Sequence, residues 1–186
     1  MKHRTAYQKA TEKIEKEGLR QCYLIYGAAG LALWRNWQKK QKAIMSLFGL
    51  TQEIWQDCAA DIEKSMIKMC YEETGIEVQN GDGKSWEDLP YLNGKINQMR
   101  ITNAQWVYIR QQQLKWIAPQ VTACIIIGLH RKWGFSFDRC ARFYGHIKEI
   151  QAEFGDDPEK VRQACFDVTG INVREFVTKQ GERKCG

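Results

Sequence analysis

The chain has 186 residues, 44% hydrophobic and 27% charged, with three prolines and a formal net charge of +6. That balance argues against a disordered or low-complexity chain and permits long helices, in one domain or two small ones. Neither "LIYGAAGLALW" nor "VTACIIIGL" reaches the roughly 20 apolar residues of a membrane span, so both read as core helix and no membrane partner is expected.

The charge is unevenly placed. Residues 1–93 hold 13 Lys/Arg and 13 Asp/Glu, whereas residues 94–186 hold 15 and 9. A basic second half suits an anionic partner, and a solvated basic face explains it about as well. The seven cysteines have no CxxC spacing, and the charged start "MKHRTAYQKATEKIEKEG" lacks the apolar stretch of a signal peptide. The expectation is a reducing cytoplasm with free thiols. Cys58, Cys70, Cys124 and Cys165 fall among apolar helical positions, where cysteine packs as a small hydrophobe.

In chain order, a long apolar helix is expected from about Tyr23 to Trp37. A second helix follows, with Thr51 as its N-cap and Ile54, Cys58, Ile62, Met66, Met69 and Cys70 along one face. Gly75 ends it as a left-handed cap, a conformation that glycine takes without a Cβ clash. After the turn signal "NGDG", residues 103–133 read as one long helix kinked at Pro119. An amphipathic helix with Phe137, Cys140, Phe143, Tyr144, Ile147 and Ile150 on its apolar side comes next. The last begins at Asp157 (N-cap) and Pro158 (first helical position) and stops at Gly170.

The two halves resemble each other. "LALWRNW" at 31–37 aligns with "IGLHRKW" at 127–133, and "SLFGLTQEI" at 46–54 with "RFYGHIKEI" at 142–150, both in a register of 96. After a one-residue gap, "CYEETGIEV" at 70–78 aligns with "CFDVTGINV" at 165–173. The matched positions are mostly apolar or glycine, the types that set packing and caps, so duplication is the simplest account. The fold expected is all-α, or mainly α with a minimal β pair at Ile76–Val78 and Ile171–Val173. It comprises two tandem pseudo-symmetric helical modules that form one compact unit, because each alone buries too little. Residues 1–78 are the first repeat, 79–101 a linker loop, 102–175 the second repeat and 176–186 a flexible tail.

No catalytic motif stands out: there is no phosphate loop, GxSxG elbow or HExxH spacing. No catalytic residue, cofactor or metal is therefore assigned. His130 and His146 flank Cys140 near Asp138, but at no known closed-site spacing, and His130 reads better as a turn residue. Two basic turns are more informative. "WRNWQKKQK" carries Arg35, Lys39, Lys40 and Lys42 beside Trp34 and Trp37. "HRKWGFSFDRCAR" carries Arg131, Lys132, Arg139 and Arg142 beside Trp133. Cations bind phosphates and aromatic rings stack on bases, so the mixture suits nucleic acid. The same mixture also finishes ordinary helices, and the equivalence of Arg35/Trp37 with Arg131/Trp133 favours structural roles for those four. A short helix, a glycine bend and a second helix are expected around Gly49 and again around Gly145; the first resembles a helix-turn-helix, although the second helices offer few base-reading side chains. The third candidate surface is the linker, where Glu77, Asp82, Glu87 and Asp88 surround Trp86. An exposed Trp with acidic neighbours fits a basic protein groove, and a loop plug is the alternative.

The run "LHRKWGFSFDRCARFYGHIKEI", closed later by "FDVTGI", resembles a pattern in small helical proteins of phages and prophages from gut Firmicutes. The likeness is carried by Gly128, Leu129 and His130, by Trp133, Gly134 and Phe135, by Arg139 and Arg142, and by Thr169, Gly170 and Ile171. It covers the last third well; the first half departs, with Trp34 for His130 and no Gly-Phe after Trp37. With its doubled arrangement and "NGDGKSWEDLPYL" linker, the whole chain resembles phage-borne anti-CRISPR proteins that inhibit Cas9. That resemblance implies a non-enzymatic inhibitor, working in the host bacterial cytoplasm, that binds the Cas9–guide RNA complex and blocks DNA cleavage. It transfers no functional residue. The alternative is a phage DNA-binding or regulatory protein acting through its basic-aromatic turns.

Overall fold

The computed structural model describes residues 5–60, 66–79 and 102–177. Eight helices lie within them: α1 (Ala6–Trp37), α2 (Gln41–Ala60), α3 (Met66–Thr74), α4 (Asn103–Leu114), α5 (Ile117–Trp133), α6 (Phe137–Glu153), α7 (Pro158–Thr169) and α8 (Arg174–Val177). The all-α expectation is met. No strand occurs among the described residues: the segments after α3 and α7 are irregular, with Ile76, Val78, Ile171 and Val173 buried as plugs.

Two helices form the centre. In α1 every residue from Leu24 to Leu33 is buried, and in α5 every residue from Val121 to Leu129. Helices apolar all round must be covered on every side. The cover is exchanged between the halves. Helix α1 packs most extensively on α7, and also on α6; α5 packs on α2 and α3, and the two central helices touch each other. Close approach of α1 to α7 depends on Gly27 and Gly30. A Cβ on Gly27 would lie 2.9 Å from Val161 Cγ1, and one on Gly30 would lie 2.6 Å from Cys165 Sγ.

Several boundaries differ from expectation. Helix α1 begins at Ala6 and not near Tyr23, because Thr5 and Gln8 form a reciprocal capping box. Thr51 is not an N-cap: it is buried inside α2, and its hydroxyl donates to the Leu47 carbonyl (3.0 Å). The bends expected at Gly49 and Gly145 are absent, since α2 and α6 run unbroken through both. A helical glycine costs about 1 kcal/mol. The buried faces that run past it, Ile44, Leu47, Phe48 and Ile54 in one helix and Cys140, Phe143, Ile147 and Ile150 in the other, outweigh that. The helix-turn-helix geometry is thereby lost. The long helix of the second half is interrupted at Lys115–Trp116, leaving Pro119 in the first turn of α5, where its missing N–H has no partner to lose. Phe137, expected in the core, is 56% exposed. Phe176 and Val177, assigned to the tail, are packed: the Phe176 ring lies 5.4 Å from Phe48, and Val177 is buried.

The two "C-x-x-x-T-G-I-x-V" segments adopt one geometry. Thr74 donates to the Cys70 carbonyl (2.7 Å) and accepts from the Ile76 amide (3.2 Å). Thr169 donates to the Cys165 carbonyl (2.6 Å) and accepts from the Ile171 amide (3.1 Å). Gly75 and Gly170 follow with φ of 73° and 69°, the left-handed cap expected of them. Valine at Thr74 or Thr169 keeps the shape but strands a buried amide. Each variant should lose about 1–3 kcal/mol, to a similar extent in the two halves, as read from urea unfolding midpoints.

Candidate functional site

The C-terminal ends of α1 and α5 bring the two basic turns together. Both helices finish in a left-handed residue, Gln38 (φ 50°) and Gly134 (φ 61°), so the chain reverses at aligned positions. Trp37 then meets Phe135 (ring centroids 5.7 Å apart), Phe143 (5.9 Å) and His146 (5.6 Å). Trp133 meets Phe135 (6.0 Å) from the other side, and Lys39 Nζ lies 4.5 Å above the Trp133 ring. A cation from the first turn therefore rests on an aromatic ring of the second. Arg139 approaches the same Phe135 ring at 6.0 Å.

The cations divide into two groups. Arg35 forms a two-point pair with Glu153, Nη1 to Oε2 at 2.6 Å and Nη2 to Oε1 at 3.1 Å. Arg131 forms one with Glu73, with Nε to Oε2 at 3.0 Å. Each clamp ties one half to the other, in keeping with structural roles for these arginines. Hydrogen bonding from Arg35 holds the Glu153 carboxyl below the usual carboxylate range. Its contribution to stability is therefore present above the ordinary carboxylate pKa and is lost as pH falls through the lowered value. Lys40, Lys42 and Lys132 are exposed and have no ion pair among the described residues. Arg142 is exposed too, its Nε 3.4 Å from the Asp138 carbonyl. The two turns thus carry exposed lysines without ion pairs among the described residues, next in sequence to tryptophans of a shared aromatic cluster.

No family model matches the chain, and no curated protein or solved structure is similar to it.

Other candidates fare differently. Asp82, Trp86, Glu87 and Asp88 lie outside the described residues, and only Glu77 of the acidic group is seen, exposed between buried Ile76 and Val78. The trio of His130, His146 and Cys140 is not assembled. His130 Nδ1 is 2.9 Å from the Phe135 carbonyl, His146 Nδ1 is 2.7 Å from Glu149, and no metal-binding group of three such residues occurs among the described residues. The six described cysteines are all buried. Burial pushes the Cys22 and Cys70 thiols up to about 12 and Cys140 to about 11, which keeps them protonated and unreactive. Among the described residues no helix is long and apolar enough to cross a membrane.

Four residues beside the basic turns were not among the candidate contacts expected from the sequence. Gln38, Gln41, Val168 and Thr169 join Trp34, Arg35, Lys39 and Lys40 around a groove between α1, α2 and α7. The last two are distant in sequence; Val168 has no local mark, and Thr169 was read only as part of the repeated helix end. The available signal lay in the internal alignment: Gln41 stands where the other half has Phe137, and Val168 where it has Glu73.

Proposed function

We propose that this chain is a non-enzymatic binding protein that engages a polyanionic partner through the joined basic turns. The partner is the Cas9–guide RNA complex, whose DNA cleavage it blocks. One observation carries the choice of surface: Lys39 of the first turn is seated on Trp133 of the second, which joins two turns whose Lys40, Lys42 and Lys132 are exposed and without ion pairs among the described residues. Such a surface suits the phosphates of guide RNA or target DNA, which are the anionic components of an RNA-guided nuclease complex. The choice of partner rests on the sequence resemblance to phage anti-CRISPR proteins. With a net charge of +6, mimicry of DNA by the whole chain is the less favoured route.

The test is cleavage of a target duplex by Cas9–guide complex in vitro. The full chain at saturating excess should suppress cleavage by more than about tenfold, because little of the complex then remains unoccupied. Undiminished cleavage removes the reading. The same surface favours a second reading, a phage regulatory protein that binds DNA directly. It requires a gel shift of free duplex at low salt that fades steeply as salt rises. The absence of bends at Gly49 and Gly145 leaves that binding without a reading helix, so it should show little sequence preference.

A further inference from the structure

The groove between α1, α2 and α7 has a volume of about 490 Å3. Trp34 on its wall is 43% exposed and Val168 is 41% exposed, so the groove presents an indole to solvent beside Lys39 and Lys40. Gln41 donates its Nε2 to the Gly170 carbonyl at 3.1 Å, which leaves Oε1 as an acceptor without a donor among the described residues.

The aligned place in the other half has different residues. There His130 replaces Trp34 and bonds the Phe135 carbonyl. Phe137 replaces Gln41 and lies against Gly75, where an added Cβ would come 3.1 Å from its ring. Glu73 replaces Val168 and neutralises Arg131. One place carries Phe137 and a carboxylate that pairs with its arginine; the other carries glutamine and valine beside Trp34 and two lysines.

We infer that this open groove takes one unpaired nucleotide of a single-stranded nucleic-acid segment, its base stacked on Trp34 and its phosphates held by Lys39 and Lys40. The inference rests on the reading that the basic end engages nucleic acid. An apolar peptide anchor needs enclosure, and Trp34 and Val168 are the only apolar residues among the eight that line this open groove. A flat base needs an exposed aromatic ring and nearby cations, and Trp34 is 43% exposed on a wall shared with Lys39 and Lys40. A duplex keeps its base faces stacked inside, so the groove adds nothing to duplex binding.

The experiment is fluorescence anisotropy of the full chain with three labelled probes. They are an oligothymidylate of about 12 nucleotides, within the site sizes usual for such surfaces, an abasic strand of equal length, and a duplex. The base-bearing strand should bind about tenfold tighter than the abasic strand. Trp34→Ala should erase that difference while leaving abasic and duplex binding unchanged. Gln41→Phe, which installs the residue found at the aligned position and fills the groove, should do the same, and Trp34→Phe should keep most of the preference. Equal binding of base-bearing and abasic strands by the parent chain overturns the inference, as does a preference that survives both Trp34→Ala and Gln41→Phe. In either case the basic-end reading stands so long as abasic strand and duplex still bind. Failure of the parent chain to bind any of the three probes overturns both.

Discussion

Replacing Lys40, Lys42 and Lys132 together by glutamate should cut affinity for the anionic partner by at least about a hundredfold. All three are exposed and lack ion pairs among the described residues, so the folded state loses almost nothing. Surface changes of this kind usually shift stability by less than about 0.5 kcal/mol. Binding loses three sites of counterion release and gains three repulsive carboxylates. Two results are expected of a salt titration. The slope of log affinity against log salt should flatten by about 0.9 for each duplex phosphate that is no longer neutralised, and Cas9 inhibition should disappear in parallel. Arg35 and Arg131 stay out of this set because each already holds a carboxylate from the other half. An unchanged affinity for the triple variant would assign the partner to another face, with the acidic linker first in line.

The largest stability effect is expected where α1 meets α7. Gly27→Leu should cost about 3 kcal/mol or more, a large share of the roughly 5–15 kcal/mol that holds a typical domain. The new Cβ would face Val161 Cγ1 at 2.9 Å and the Val161 backbone carbon and oxygen at 3.3 Å. A side chain can turn away, but that backbone cannot. Gly30 differs, because its obstacle is the Cys165 Sγ alone at 2.6 Å, with Phe48 further off at 3.8 Å. Gly30→Ala should therefore be partly rescued by Cys165→Ala, with a coupling of about 1–3 kcal/mol in a double-mutant cycle. Gly49 and Gly145 supply the control, since a Cβ there meets nothing within 4 Å. Alanine at either should stabilise by up to about 1 kcal/mol, the helix-propensity gain alone. Chemical denaturation of the full chain measures all of these. If Gly27→Leu unfolds at the parent midpoint, the α1–α7 approach is not as close as described.

What was legible in the sequence depended on how local its cause was. The buried cysteines, the Asp157 cap and the Gly75 and Gly170 stops all follow from chemistry within a few residues, and each is found in place. Thr51 departs from expectation for a local reason as well: a threonine hydroxyl bonds a helix's own carbonyl as readily as it caps an amide. Gly49 and Gly145 looked like bends because glycine weakens a helix, yet the penalty is small against a continuous buried face. The site was legible in parts only. Both basic turns were visible, whereas the seating of Lys39 on Trp133 joins residues 94 positions apart, and no periodicity encodes that. Val168 carries no polar signal at all and becomes informative only when set beside Glu73.

The exchange of partners between the halves has a kinetic side. Small helical proteins ordinarily fold fast because most of their contacts are close in sequence. Here the apolar length of α1 waits for α6 and α7, more than a hundred residues downstream, and α5 reaches back to α2 and α3. Closing such long loops costs entropy before any burial repays it. During synthesis, α1 emerges long before the surfaces that cover it, and its apolar face stays available to chaperones or to a second copy of the chain. The covalent link between the halves then acts as a tether, turning a meeting of two incomplete cores into an intramolecular event.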